Sequence, residues 1–208
     1  MTGIIAQNVG RTSGLIKAAS GGGGVWTKIK EITASADSTI DFIDGTDDVV
    51  LDSTYPIYLF KLINIHPENN DISLTFQANA AGGSGFNETI TSTFFSAYQY
   101  ENDLTAAVLY VAPADQAEGT SFQIIGNSAG YDNDQNTSGE LWLFNPSSTT
   151  FVKHYMSKFN TTTHSDSIQH NISAGYFDTT SAIDEIQFKF VSGNIDAGTF
   201  KLYGIGDS

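Results

Sequence analysis

The chain has 208 residues, with nine lysines and arginines against 23 aspartates and glutamates, a formal net charge of −14. This length fits one domain, which buries enough surface to hold a core without a covalent cross-link. The negative charge disfavours nucleic acids and anionic membranes as partners. The chain has no cysteine, which excludes disulfides, thiol nucleophiles and cysteine-ligated zinc.

The first 30 residues differ in charge from the rest of the chain. They contain four basic residues and no acidic one, whereas the remainder holds five lysines and all 23 carboxylates. Residues 21–24 are four glycines, which is typical of a flexible hinge. We therefore predict an extended N-terminal arm with a glycine-rich hinge over residues 1–24, followed by a single domain over residues 25–208.

The predicted arm is too apolar for an ordinary disordered tail. An apolar, basic arm on an acidic domain favours binding to a second acidic surface, most simply that of another copy of the chain. A frayed terminus is the alternative. The residues expected to make these contacts are Ile4, Ile5, Arg11, Leu15, Ile16 and Lys17.

The domain itself predicts β-strands throughout. Residues 72–78 and 186–190 place apolar side chains at every second position, which predicts strands, whereas residues 55–65 and 141–144 are apolar on both faces and should be central strands covered on both sides. Residues 104–111 fit either a helix or a strand. In chain order, the predicted strands are 27–33, 39–43, 49–51, 55–65, 72–78, 88–97, 121–125, 141–144, 151–159, 167–172, 186–190 and 200–203.

The connecting segments are rich in Gly, Asn, Asp and Ser, which favour turns; examples are residues 81–85, 126–139 and 192–194. About ten short strands with frequent turns and almost no helix predict an all-β fold. We expect a two-sheet antiparallel sandwich of jelly-roll-like topology, with an immunoglobulin-like topology as the alternative.

Histidines are the first candidates for chemistry. His164 and His170 flank a polar turn, and their spacing gives no fixed face for a metal. His66 and His154 lie in or beside predicted strands, so we interpret them as structural.

Acidic segments are the second candidates. Residues 132–136 place oxygen ligands at every second position, but Thr137 and Leu143 stand where an EF-hand needs glycine and glutamate. A solvated turn is the expectation and a weak cation site the alternative. The pairs Asp47-Asp48 and Asp184-Glu185 are expected by chance in so acidic a chain, although a glycosidase would need two carboxylates across a cleft.

Catalytic motifs are the third class of candidate. The sequence has no Gly-x-Ser-x-Gly, no phosphate-binding loop and no dinucleotide-binding fingerprint. Exposed tyrosines and tryptophans would favour sugar binding, but phenylalanine predominates and falls within alternating strands, which indicates a core. We therefore predict no catalytic residue, no metal and no cofactor.

Two blocks of the sequence resemble a known family. One is SGELWLFNPSSTTFVKH, residues 138–154, and the other extends from Gly175 through TTSAI and IQFK to SGNIDAGTFKLYGI, which ends at Ile205. Both resemble virion structural proteins of tailed bacteriophages, especially phages of marine bacteria, and the likeness extends over about residues 26–205. The resemblance implies a virion component and carries over no catalytic or cofactor residue.

The resemblance and the charge layout together lead to a functional expectation. We expect a non-enzymatic capsid decoration (cement) protein, made in the host cytoplasm, that binds the outer surface of the head through its arm. The expected partners are further copies of the chain, as a homotrimer by analogy with other cement proteins, and the major capsid protein. The alternatives are a tail, neck or head fibre that binds host glycan, and a free carbohydrate-binding module or glycan hydrolase.

Overall fold

The computed structural model describes residues 26–206, and these are built of β-strands joined by loops with a single 3-10 turn. The predicted arm, its boundary at residues 24–25 and its six named contact residues lie outside the described residues. The strands are β1 (Trp26–Asp37), β2 (Ile40–Ile43), β3 (Ile57–Pro67), β4 (Ile72–Ala80), β5 (Ile90–Tyr100), β6 (Ala106–Tyr110), β7 (Gln123–Ala129), β8 (Thr137–Phe144), β9 (Lys153–Thr163), β10 (Ser167–Phe177), β11 (Ile183–Phe190) and β12 (Ile195–Ile205).

All strand pairs are antiparallel, and together they form one nearly closed sheet in the order β1-β12-β3-β8-β9-β7-β4-β11-β2. The strands β10, β5 and β6 continue outward from β9. Strand β9 meets β7 only through the pair Ala129–Thr163, so the sheet folds there into two parts. We call β1-β12-β3-β8-β9-β10-β5-β6 the large limb and β7-β4-β11-β2 the small limb.

The core lies between the two limbs and combines aliphatic side chains with ten aromatic rings. Phe60 of the large limb packs edge-on against Phe42 and Phe188 of the small limb, with ring centroids 5.2 and 5.5 Å apart. Further along, Phe76 of the small limb meets Tyr155 of the large limb at 5.0 Å. Alternation places these rings inward: along β9 the side chains are buried and exposed in turn. The prediction of an all-β antiparallel fold is confirmed.

The predicted strand over residues 49–51 is wrong. These residues form a loop in which Gly45 donates a backbone hydrogen bond to Val49, and the backbone N–H of Leu51 donates to the Asp44 carboxylate at 2.8 Å. Val49 and Leu51 are nevertheless buried. The apolar pattern therefore predicted the burial of these side chains correctly, but the local hydrogen bonds give the backbone a loop conformation.

The connector predicted over residues 126–139 is present but shorter, at residues 130–136, since β7 continues to Ala129 and β8 begins at Thr137. Thr137 is polar yet fully buried, because its hydroxyl bonds to the Thr161 hydroxyl on the neighbouring strand at 3.2 Å. Residues 104–111, which fit helix or strand, contain strand β6. Strand β3 is central, as predicted, but its second face is covered only in part: Leu59 is buried and Ile63 is exposed.

Candidate interaction surface

The large limb has a second face that points away from the core, which we call the outer face. Strand register aligns its side chains in rows across the strands. The central row crosses all eight strands and contains Tyr110, Phe95, Ile172, Lys158, Glu140, Lys61, Lys201 and Glu31. Its β6 end is apolar and its β1 end is charged.

Exposed apolar side chains concentrate on the outer face. Eight of the thirteen large apolar side chains that are exposed in the described chain lie there, namely Trp26, Ile63, Phe95, Val108, Tyr110, Met156, Ile168 and Ile172. Val108 is 78% exposed and Tyr110 is 46% exposed. Contiguous apolar surface of this kind marks a place where a partner binds.

Charge is segregated in the same way. The outer face carries four lysines, Lys28, Lys61, Lys158 and Lys201, against the two carboxylates Glu31 and Glu140, whereas the other described residues hold 20 carboxylates and three lysines. Glu31 accepts a hydrogen bond from Lys28 at 2.9 Å, which lowers the pKa of Glu31. The outer face is therefore a locally cationic, apolar patch on a strongly anionic body.

An aromatic group covers the β1 end of the outer face. Trp26 contacts Trp142 and Tyr203, with ring centroids 6.2 and 5.9 Å apart, and Lys61 Nζ lies 4.8 Å from the Trp26 ring. Leu59 lies between Trp142 and Tyr203 in register and is fully buried beneath them. Trp26 itself remains 47% exposed, so the described chain begins on this face with a ring available for contact.

Two shallow depressions indent the outer face, and His170 lines both. One, of about 440 Å³, lies over β5, β6 and β10 beside Val108 and Ile168. The other, of about 400 Å³, lies between Lys61 and Lys158. His170 Nδ1 is 2.8 Å from the Asn160 amide oxygen, which fixes the ring between the two depressions. The depressions are open, and they suit side chains of a docked surface better than an enclosed substrate.

Strand β6 ends the large limb and offers a free edge. Tyr100 N–H donates to the Thr105 carbonyl and Val111 N–H to the Phe94 carbonyl. By the alternation of an antiparallel ladder, the peptide groups of Ala106, Val108 and Tyr110 point away from β5. No hydrogen bond within the described chain reaches them from that side.

A loop after β6 is anchored by two buried glutamines. Gln123 is fully buried, accepts from the Ser92 hydroxyl at 2.7 Å, and donates to the carbonyls of Ala114 and Ile124. Gln77 donates to the carbonyls of Glu88, Thr120 and Ser121. Tyr110 donates to the Asp115 carboxylate, which raises the pKa of Tyr110. The loop therefore holds Asp115 at the end of β6.

The histidines of the sequence survey are spread over separate places. His164 Nδ1 lies 3.1 Å from Asp71, and His66 Nδ1 lies 3.7 Å from Asp196. His154 packs against Tyr176. Within residues 26–206, no group of three histidines or carboxylates is arranged to hold a metal ion.

The acidic segments are likewise local structures. Gln135 is buried and bridges the loop, accepting from Asp132 N–H at 3.3 Å and donating to the Thr163 carbonyl. Asp47 and Asp48 both have positive φ in an exposed loop. Asp184 lies at a bulge in β11, where burial and then the neighbouring Glu185 raise its pKa.

One lysine is buried outside the outer face. Lys153 begins β9 with no exposed surface, and its Nζ donates to the Thr179 carbonyl at 3.0 Å. Burial lowers the pKa of Lys153. Its Nζ joins the start of β9 to the loop that contains Thr179, so we interpret this hydrogen bond as structural.

Local sequence patterns do not reveal the outer face. Two features of the sequence are nevertheless related to this face. There is no lysine or arginine between Lys61 and Lys153, and the charged residues Lys61, Glu140, Lys158 and Lys201 occupy positions in β3, β8, β9 and β12 that alternate with inward-facing side chains. Their convergence in one row depends on pairings between strands far apart in sequence.

None of the described residues forms a helix long and apolar enough to cross a membrane. Comparison of the chain with protein-family models, curated proteins and solved structures finds no match.

Proposed function

We propose that this chain is a non-enzymatic virion structural protein of a tailed bacteriophage, a decoration protein that binds the outer surface of the capsid. The observation that carries the proposal is the outer face, which combines most of the exposed apolar side chains with four lysines against two glutamates on an otherwise strongly acidic body. Such a face binds another macromolecule, whereas the acidic remainder keeps the free protein soluble. The sequence resemblance to phage virion proteins supplies the setting.

The body is proposed to be a jelly-roll-like sandwich, and the strand pairing supports this. Eight strands remain when the hairpins β5-β6 and β9-β10 are set aside. They pair first with last and so on inward, as β1·β12, β2·β11, β3·β8 and β4·β7, and the contacts β12·β3 and β11·β4 join these pairs into two four-stranded series. A rolled-up double Greek key has this order. The two hairpins enlarge one series into the large limb.

The charge layout supports a particular kind of self-association. A patch rich in lysine does not complement itself across a two-fold axis, and in this proposal the outer face is occupied by the head. Copies would contact each other head to tail through other surfaces, and such contacts close into rings when the rotation permits. We therefore propose a homotrimer seated on the major capsid protein, with Ile4, Ile5, Arg11, Leu15, Ile16 and Lys17 of the arm adding contacts between subunits or to the shell.

The test is a reconstruction of the particle together with quantitative mass spectrometry of its proteins. Decoration predicts on the order of hundreds of copies per particle, on the outside of the head, with the outer face covered. Reversing the row with Lys61→Glu and Lys158→Glu should abolish binding to bare heads, while Lys189→Glu, a matched charge change on the small limb, should leave it intact. Equal binding by both variants would refute the proposal.

The aromatic group favours a second candidate, a tail, neck or head fibre component that binds host glycan. Trp26, Trp142 and Tyr203 form a partly exposed ring cluster beside Lys61, and aromatic rings stack on sugar faces. This candidate predicts a handful to a few dozen copies per particle. It also predicts binding on a glycan array that Trp26→Ala removes; no binding to any sugar would exclude it.

A further inference from the structure

The three strands that end the described sheet are protected to different extents. Strand β1 carries Lys28, Lys30 and Glu31 and shifts register between the two lysines, and β2 has only four residues. Charges, bulges and shortness are the usual protections of a sheet edge. Strand β6, Ala-Ala-Val-Leu-Tyr, has no charge, no proline and no register shift against β5. It is therefore an edge ready to accept another strand.

The surroundings of β6 select the charge of that strand. Glu101 and Asp103 lie in the loop before β6, with Asp166 brought beside them because Glu101 N–H donates to its carbonyl. Asp115 lies at the other end, bonded to Tyr110. No lysine or arginine occurs anywhere between Lys61 and Lys153. Pairing of β6 with β6 of a second copy in antiparallel register would place acidic ends against acidic ends, which disfavours it.

The residues before Trp26 have the complementary character. Ile4, Ile5 and Val9 are β-formers, and Arg11 and Lys17 are the only charged side chains over residues 1–24. We propose that the segment around Ile4 and Ile5 of one copy adds as a strand to the β6 edge of a neighbouring copy, with Arg11 at its acidic flank. Addition to an edge supplies main-chain hydrogen bonds, and the exposed Val108 and Tyr110 supply apolar contact.

The geometry favours a neighbouring copy over the same copy. Trp26 lies in β1, at the opposite edge of the large limb from β6, a distance of seven strand spacings or about 34 Å. Residues 10–25 can span that distance, since an extended chain covers about 3.3 Å per residue. That path, however, would carry Lys17 across the outer face, where four lysines outnumber the two carboxylates and the net positive charge disfavours it. A neighbouring copy presents its β6 edge without this crossing.

The inference rests on the proposed function for its setting, but purified full-length protein tests it. Because the chain has no cysteine, single cysteines report single contacts. Untagged Ile5→Cys protein is mixed with tagged Val108→Cys protein and oxidised. We expect the hybrid dimer to exceed, by about tenfold, the hybrid formed with tagged Thr33→Cys, a matched exposed position on the guarded β1 edge. Equal yields, a predominance of Val108–Val108 dimers, or cross-linking only within an Ile5→Cys/Val108→Cys double variant would each overturn the proposal.

Charge reversal provides a second readout. Arg11→Glu in the arm should reduce the hybrid yield several-fold, and Asp103→Lys with Glu101→Lys in the β6 partner should restore it. Failure of the reversed pair to restore the yield would contradict the assigned flank. A positive cross-link together with few copies per particle would support the arm contact and contradict the decoration function. Abundant copies on heads together with no cross-link would support the decoration function and contradict the arm contact.

Discussion

Gln123 offers the sharpest test of how the loop beside β6 is held. It is fully buried and makes three side-chain hydrogen bonds, from Ser92 and to the carbonyls of Ala114 and Ile124. A buried hydrogen bond stabilises by about 1 kcal/mol net, and Gln123→Met keeps the volume while removing all three bonds. The free energy of unfolding should therefore fall by about 3 kcal/mol, or roughly 6–12 °C in Tm.

The assay is urea unfolding followed by tryptophan fluorescence, together with hydrogen exchange of residues 111–122. The control is Gln99→Met, whose amide donates to the Tyr100 carbonyl and to Asp103 in a partly exposed position, so it should lose under about 1 kcal/mol. Faster exchange confined to residues 111–122 is expected for Gln123→Met. A loss no larger than that of the control, with unchanged exchange, would refute the reasoning.

Three further predictions follow from single positions. Lys153→Met should change the pH dependence of stability. Because burial lowers the Lys153 pKa, the unfolded native chain binds a proton that the folded chain lacks, so the free energy of unfolding of the native chain should rise relative to that of the variant as the pH rises toward 10.5. A difference in urea unfolding that stays constant with pH would contradict this. Gly139→Ala would place Cβ 2.3 Å from the Lys158 carbonyl and should destabilise by about 1–3 kcal/mol, unlike Gly206→Ala, which meets nothing nearer than 3.8 Å; equal Tm values would count against it. Phe95, 44% exposed, has about 90 Å² left to bury, so Phe95→Ala should weaken binding to bare heads by about 2 kcal/mol, roughly 30-fold in Kd; unchanged binding in co-sedimentation with bare heads would refute it.

Local patterns in the sequence predict where most strands lie but not which strands pair with one another. Alternation over residues 72–78 and 186–190 predicts β4 and β11 because a strand's two faces are set by neighbours two positions apart. The loop at Val49 is an exception to this rule. Its side chains are buried like those of a strand, but the hydrogen bond from Leu51 N–H to the Asp44 carboxylate keeps the backbone in a loop conformation. Polar residues such as Thr137 mislead in the opposite direction, since a cross-strand hydroxyl pair satisfies them.

The outer face could not be predicted from local sequence patterns, for a different reason. Lys61, Lys158 and Lys201 belong to three strands that are separated in sequence, and only the order β12-β3-β8-β9 brings them into one row. The absence of basic residues between Lys61 and Lys153 is visible in the sequence, but its meaning depends on β5 and β6 forming the far end of the same sheet. Charge segregation in space is therefore a property of topology.

A reconstruction of the assembled particle that resolves side chains tests the central claim, that the outer face of the large limb is a docking surface, most directly. We expect Lys61, Lys158 and Phe95 in contact with an acidic neighbouring surface, and additional strand density along β6. Particles in which this face is open to solvent on every copy, with the acidic loops making the contacts instead, would contradict it.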